Sequence, residues 1–254
     1  MDRRRSVAVA VVLIVSISVF IVFIGLPLTQ TSFHYARQYP SSETRRVMVH
    51  LYDLDYTSTN VTVSFLDDPT LLYSIDVIQY YPGLYHLVYF YDGAPWDQTL
   101  LFVGICGNGN EQVASVAITL GTGTYYALEL DGRLNVSVNY DNGAWLRGQE
   151  VVVSCGGGRF EFTLGEDVNF TDSGLDVQTG LGTDLFLDID LPDGMNGKLE
   201  LPPAVDFAYS EMVGWSLISS GYGIPTIYST PSIDQPLLYI DPSGYGLVRA
   251  RLHD

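Results

Sequence analysis

Val151-Val-Val-Ser154, Cys155-Gly-Gly-Gly158, Arg159-Phe-Glu-Phe-Thr-Leu164 holds two short apolar runs around a glycine-rich turn. In the second run Phe160, Phe162 and Leu164 alternate with Arg159, Glu161 and Thr163. A period of two is that of a half-buried strand with one wet face. Two such runs joined by glycines predict a β-hairpin.

The same period extends outward in both directions. Val61, Val63 and Phe65 alternate with Asn60, Thr62 and Ser64, and Leu134, Val136, Val138 and Tyr140 with Asn135, Ser137 and Asn139. Leu185, Leu187, Ile189 and Leu191 alternate with Asp184, Phe186, Asp188 and Asp190. Turn formers separate the runs, among them Asp92-Gly93, Gly107-Asn108-Gly109, Asn142-Gly143 and Asp193-Gly194. Roughly fourteen to sixteen short strands are expected, and no stretch after residue 28 shows a 3.6-residue period. The region 47–254 is therefore expected to be all-β, as a β-sandwich, a β-solenoid or both, with a possible subdivision near 140–147. The first part reads as sandwich; the short Gly- and Asp-spaced strands of 148–201 fit either more sandwich or stacked solenoid rungs. Six prolines between Pro202 and Pro242 predict edge or loop structure there, and Leu247 to Leu252 reads as a closing strand.

Two segments carry a resemblance. Leu175-Asp-Val-Gln-Thr-Gly-Leu-Gly-Thr-Asp-Leu-Phe-Leu-Asp-Ile-Asp-Leu-Pro192 resembles the Leu-x-Val-x-Thr-Gly-x-Gly rungs of the adhesin-type β-solenoid families of microbial cell surfaces. Gly244-Tyr-Gly-Leu-Val-Arg-Ala-Arg-Leu252 resembles their closing rung. The resemblance implies a surface-exposed, non-enzymatic module and carries no functional residues.

Ahead of the β region, Arg3 to Arg5 precede a charge-free run from Val7 to Leu26 in which fifteen of twenty residues are Val, Leu, Ile or Phe. As a helix at ~1.5 Å per residue this run spans about 30 Å, the hydrocarbon thickness of a bilayer. Its length and the lack of an Ala-x-Ala exit favour an uncleaved anchor over a signal peptide. The arginines favour a cytoplasmic N-terminus. The expected organisation is a cytoplasmic tail at 1–5, one transmembrane helix at 6–28, a stalk at 29–46 and an extracytoplasmic all-β region.

The formal charge is −17, and setting aside residues 1–5, with three Arg and one Asp, leaves −19 outside. Lys198 is the sole lysine. So acidic a chain repels nucleic acid, which is excluded as a partner; the membrane is met through the N-terminal helix alone. Three sequons, at Asn60, Asn135 and Asn169, lie on the side where glycosylation can occur, and alternation puts Asn60 and Asn135 on a wet face. Cys106 and Cys155 each end a strand-like run, so a disulfide or two separate buried thiols are both open.

No catalytic motif emerges, and no cofactor is implied. His34, His50, His86 and His253 have no metal-ligand spacing. Paired carboxylates for glycoside hydrolysis are offered by Asp53 with Asp55, Asp67 with Asp68, and Glu166 with Asp167. Asp184, Asp188 and Asp190 with Asp193 present oxygen ligands that could collect Ca²⁺, but the spacing is not that of an Asp-x-Asp-x-Asp-Gly loop, and solvated acids are the simpler reading. Tyr80, Tyr81, Tyr85, Tyr89, Tyr91 and Trp96 offer either ordinary strand packing or stacking platforms. The expectation is an archaeal cell-envelope protein whose exterior β domain is a binding or structural module for an envelope glycan or protein, not an enzyme. The alternatives are a carbohydrate-binding or carbohydrate-hydrolysing surface protein and an accessory subunit of a membrane complex.

Overall fold

A computed structural model describes residues 30–39, 46–80, 87–94, 97–106, 112–147, 149–155, 157–170, 174–242 and 246–254. The expected tail and anchor, 1–28, lie outside them. Among the described residues there are nineteen strands and no helix long and apolar enough to cross a membrane.

The strands form two facing sheets. Across the front run β4 (Leu87–Ala94), β5 (Asp97–Cys106), the first halves of β2 (Val47–Leu66) and β7 (Tyr126–Tyr140), β9 (Gln149–Ser154), β12 (Leu175–Thr179), β18 (Leu237–Pro242), β14 (Asn196–Leu201), β17 (Ile224–Ser229) and β16 (Ser216–Gly221). Across the back run β1 (Gln30–Gln38), β3 (Leu71–Tyr80), β6 (Gln112–Gly121), the second halves of β2 and β7, β10 (Arg159–Leu164), β13 (Asp184–Asp190), β19 (Leu247–His253) and β15 (Asp206–Met212). A short third side carries β8 (Trp145–Leu146) paired with β11 (Asn169–Phe170).

Seven of the front strands, β5, β2, β7, β9, β12, β18 and β14, lead round a corner into a back strand, making seven parallel rungs, and antiparallel strands close both ends. This is a two-faced β-solenoid. Alternation supplies the core, because every second residue points between the sheets. On the front, Val103, Val49, Leu128, Val151, Val177, Ile240 and Leu199 stack in register, one per rung, all buried. On the back, Ile118, Val63, Val138, Phe162, Leu187 and Ala250 form the matching column. Phe65 of the back meets Tyr126 of the front, ring centroids 6.0 Å apart, and Tyr126 donates a 2.8 Å hydrogen bond to the carbonyl of Leu72. The core is one cluster from Val47 to Leu252 and crosses 140–147 without a break.

Several expectations change. The segment 151–164 is not a hairpin: β9 pairs with β7 and β12, β10 with β7 and β13, and the glycines between them turn a solenoid corner. At Gly158 a Cβ would stand 1.8 Å from the carbonyl oxygen of Leu134, so this corner passes too close to the neighbouring rung for any side chain. The expected stalk, 29–46, holds strand β1, in which Phe33 and Tyr35 pack against the core. The proline-rich stretch contributes an interior rung, β18, between β12 and β14. Its Pro242 closes the strand, where the lost N–H costs little.

The backbone register sets apart the two cysteines, for which the sequence leaves a disulfide and separate thiols both open. Ile105, Leu51, Leu130 and Val153 lie in one register row, so the two cysteines sit near the same end of the front sheet but three strand spacings apart, about 14 Å. A disulfide needs Cα atoms within roughly 7 Å. Cys155 is a buried free thiol, with Sγ 3.8 Å from the carbonyl of Arg159.

The sheets end unevenly. Beyond β14 the front continues through β17 and β16, whereas the back stops at β15. The overhang leaves Leu217, Ile218, Tyr222 and Ile224 exposed.

Candidate functional site

On the outer side of the back sheet, register brings side chains from four rungs into rows. One row runs Glu161, Phe186, Arg249, Ala208; the next runs Thr163, Asp188, Arg251, Glu211. Arg159 and Arg249, from the rungs flanking Phe186, approach its ring at 3.9 and 6.0 Å from the centroid. Such contacts hold a guanidinium over the negative face of an aromatic ring. Arg159 pairs with Glu161. Arg251 pairs with Asp188 and binds Asp190 through both terminal nitrogens, at 2.7 and 3.2 Å. Arg249 is exposed and pairs with no carboxylate among the described residues.

Beside this cluster lies a shallow depression of about 340 Å³, lined by Phe186, Leu187, Ala208, Tyr209, Ser210, Arg249, Ala250 and Arg251. Its origin is local. The register of β15 shifts between Tyr209 and Glu211, a bulge that re-aims the strand at the solenoid's end. On the outer face Ala208, in register with Arg249, carries only a methyl group, which leaves room beside the arginine. The result is an open dish with one aromatic wall, Phe186, and a cation, Arg249.

The candidate calcium site falls inside the same cluster and reads differently. The guanidinium of Arg251 occupies the space between Asp188 and Asp190 where a cation would bind, and Asp184 accepts a 3.0 Å hydrogen bond from the backbone of Leu247. Asp184, Asp188 and Asp190 are thus tied to strand β19, while Asp193 stands exposed in the turn that follows β13. His253 adds contacts to Asp190 and Glu211 at 3.3 and 3.1 Å.

The sequons split into a pair and a single. Asn60 and Asn135 are exposed, face each other across adjacent rungs, and share a 3.3 Å hydrogen bond from Asn135 Nδ2 to Asn60 Oδ1. Asn169 is exposed on the short third side, where its Nδ2 donates to the carbonyl of Gly143 at 2.8 Å.

Of the carboxylate pairs, the side chains of Asp53 and Asp55 lie outside the described residues, as do those of Tyr80, Tyr81, Tyr85, Tyr89 and Trp96. Asp67 and Asp68 build a surface turn: Asp68 Oδ1 accepts from the backbone and hydroxyl of Thr70 at 2.8 and 2.7 Å, which holds its carboxyl below the ordinary value. Glu166 and Asp167 are exposed.

A second polar network lies on the outer front face. Glu200 accepts from Lys198 Nζ at 2.7 Å and from the Tyr239 hydroxyl at 3.0 Å. Chiefly the lysine bond lowers the Glu200 carboxyl, while burial, then the charges of Glu200 and Asp176, raises Asp241. Burial, reinforced by Glu200, raises Tyr239. Nothing along the chain marks this cluster, because register alone assembles it from β12, β14 and β18.

No family model matches the sequence, and no curated protein matches it. The fold is similar to that of a proposed cell adhesion protein from Clostridium sporogenes, with a TM-score of 0.52 over 88% of this chain and 99% of that one at 9% identity. At that identity the likeness is one of fold. Proposed adhesins from Parabacteroides merdae and Parabacteroides distasonis align over 88% and 87% of this chain and 97% and 96% of theirs. Their identities are 9% and 10%, with TM-scores of 0.24 and 0.22, too low to carry weight.

Proposed function

We propose that the chain is an adhesin-like surface binding module that recognises an envelope glycan through a single carboxylated sugar on the outer back face and performs no catalysis. Residues 6–28 anchor it in the cell membrane, with the N-terminus cytoplasmic and the β region outside. One observation carries the ligand class: in a chain of charge −17, the exposed Arg249 stands unpaired among the described residues, beside Phe186 at an open depression. A guanidinium takes a carboxylate bidentately, and aromatic rings take the apolar face of a sugar. The dish is wide and shallow, which suits a polymer lying across it better than a small molecule enclosed within it.

Binding of the detergent-solubilised protein to uronic-acid polysaccharide, against a neutral glucan, tests this reading. Arg249→Ala and Phe186→Ala should each weaken acidic-polymer binding at least about tenfold, a change of 1.4 kcal/mol, with an unchanged circular dichroism spectrum. Equal binding of acidic and neutral polymers, or wild-type binding by both variants, refutes it.

The exposed apolar overhang at Leu217, Ile218, Tyr222 and Ile224 supports a second reading, docking to a protein of the same membrane. Co-purification of one stoichiometric partner, lost in Leu217→Ser/Ile224→Ser, distinguishes it.

A further inference from the structure

We propose that His50, Glu129 and Asp131 form a binding site for a divalent transition-metal ion on the outer front face. His50 of β2 is in register with Glu129 of β7, and Asp131 follows two residues on, so all three side chains leave the same face of adjacent strands. Their ligand atoms lie within 4.8 Å of one another. Donors around a tetrahedral ion at ~2.1 Å stand about 3.4 Å apart, so side-chain rotation without backbone movement closes the site.

Three features favour an ion over an ordinary surface contact. His50 Nδ1 and Glu129 Oε2 are 4.0 Å apart, too far for a hydrogen bond and suited to an atom between them. The imidazole is already placed, packed 4.7 Å from the Tyr52 ring and edge-on to Phe102 at 6.0 Å. Neither carboxylate accepts a side-chain hydrogen bond among the described residues, in contrast to Asp188 and Asp190, which Arg251 neutralises. One imidazole nitrogen with two carboxylate oxygens suits Zn²⁺, Co²⁺ or Mn²⁺ better than Ca²⁺, which takes six to eight oxygens. Three protein ligands leave a coordination position toward solvent.

The test uses the full chain in detergent, stripped with chelator and titrated with Co²⁺. The expected result is one saturable Co²⁺ per chain, seen by ligand-field absorption and displaced by Zn²⁺. His50→Ala and Glu129→Gln should abolish it, and the milder His50→Asn should do so with an unchanged melting temperature of the metal-free protein. Glu161→Gln, a carboxylate elsewhere on the surface, should retain it, as should Arg249→Ala, which separates this site from the glycan-binding face. Absence of a saturable site, or equal binding by His50→Ala and wild type, overturns the proposal.

Discussion

The middle rungs and the C-terminal end follow the same alternation and arrive at opposite surfaces. Phe160, Phe162 and Leu185 have a rung on each side and a sheet opposite, and are wholly covered. Tyr209 points the same way in its strand, in register with Ala250, yet stays more than half exposed, and Leu217 of the overhang is 51% exposed. Burial in this fold is therefore granted by stacking: alternation chooses which side chains point between the sheets, and neighbouring rungs decide whether water is excluded.

The largest test of that contrast is a matched pair of truncations. Phe162→Ala should cost about 3–5 kcal/mol in chemical denaturation, whereas Tyr209→Ala should cost under about 1 kcal/mol. Comparable losses would erase the distinction between middle and end. The corners sharpen it next. A Cβ at Gly174 would lie 1.7 Å from the Leu237 carbonyl oxygen, so Gly174→Ala must push two rungs apart and should cost roughly 3 kcal/mol. Gly223, at φ +76° with open space around it, should lose only about 1 kcal/mol as alanine, from backbone strain alone. Thermal melts of the two variants give the ordering directly.

The smallest effect is electrostatic. The Glu200 carboxyl is held below its ordinary value, mainly by Lys198, so its folded form resists protonation more than its unfolded form. The stability it contributes is present above the unfolded carboxylate range and fades as pH falls through the folded value. Lys198→Met should flatten the acid limb of the stability curve slightly and leave neutral pH nearly unchanged; an unaltered acid limb would show that the pair contributes nothing measurable.

The strands themselves were legible along the chain, because Phe160, Phe162 and Leu164 or Leu185, Leu187 and Ile189 declare an inward face whatever lies beside them. Pairing was not. The same alternation serves a hairpin or a corner, and the glycines of 156–158 satisfy both, so 151–164 misleads until its neighbours are known. Order was hidden too: β14 and β15 precede β18 and β19 in the chain but stack outside them. The site shared this fate. Asp188 and Asp190 stood out as acids, while the cation that engages them, Arg251, comes from the closing strand. The signal that could have joined them is charge complementarity between Asp188/Asp190 and the alternating Arg249/Arg251. His50 and Glu129 left no such trace, being far apart in the chain and adjacent through register alone.

Spin labels at Val152→Cys and Glu161→Cys, with Cys106 and Cys155 replaced by alanine, examine the parallel stacking most directly. A hairpin would set these positions opposite each other on neighbouring strands, about 5 Å apart at Cα. The solenoid puts them on outer faces of opposite sheets, so the labels should be separated by the ~10 Å between sheets plus the length of both side chains. A second pair, Ser137→Cys with Glu161→Cys, should be immediate neighbours on adjacent rungs. A short distance for the first pair together with a long one for the second would contradict the account.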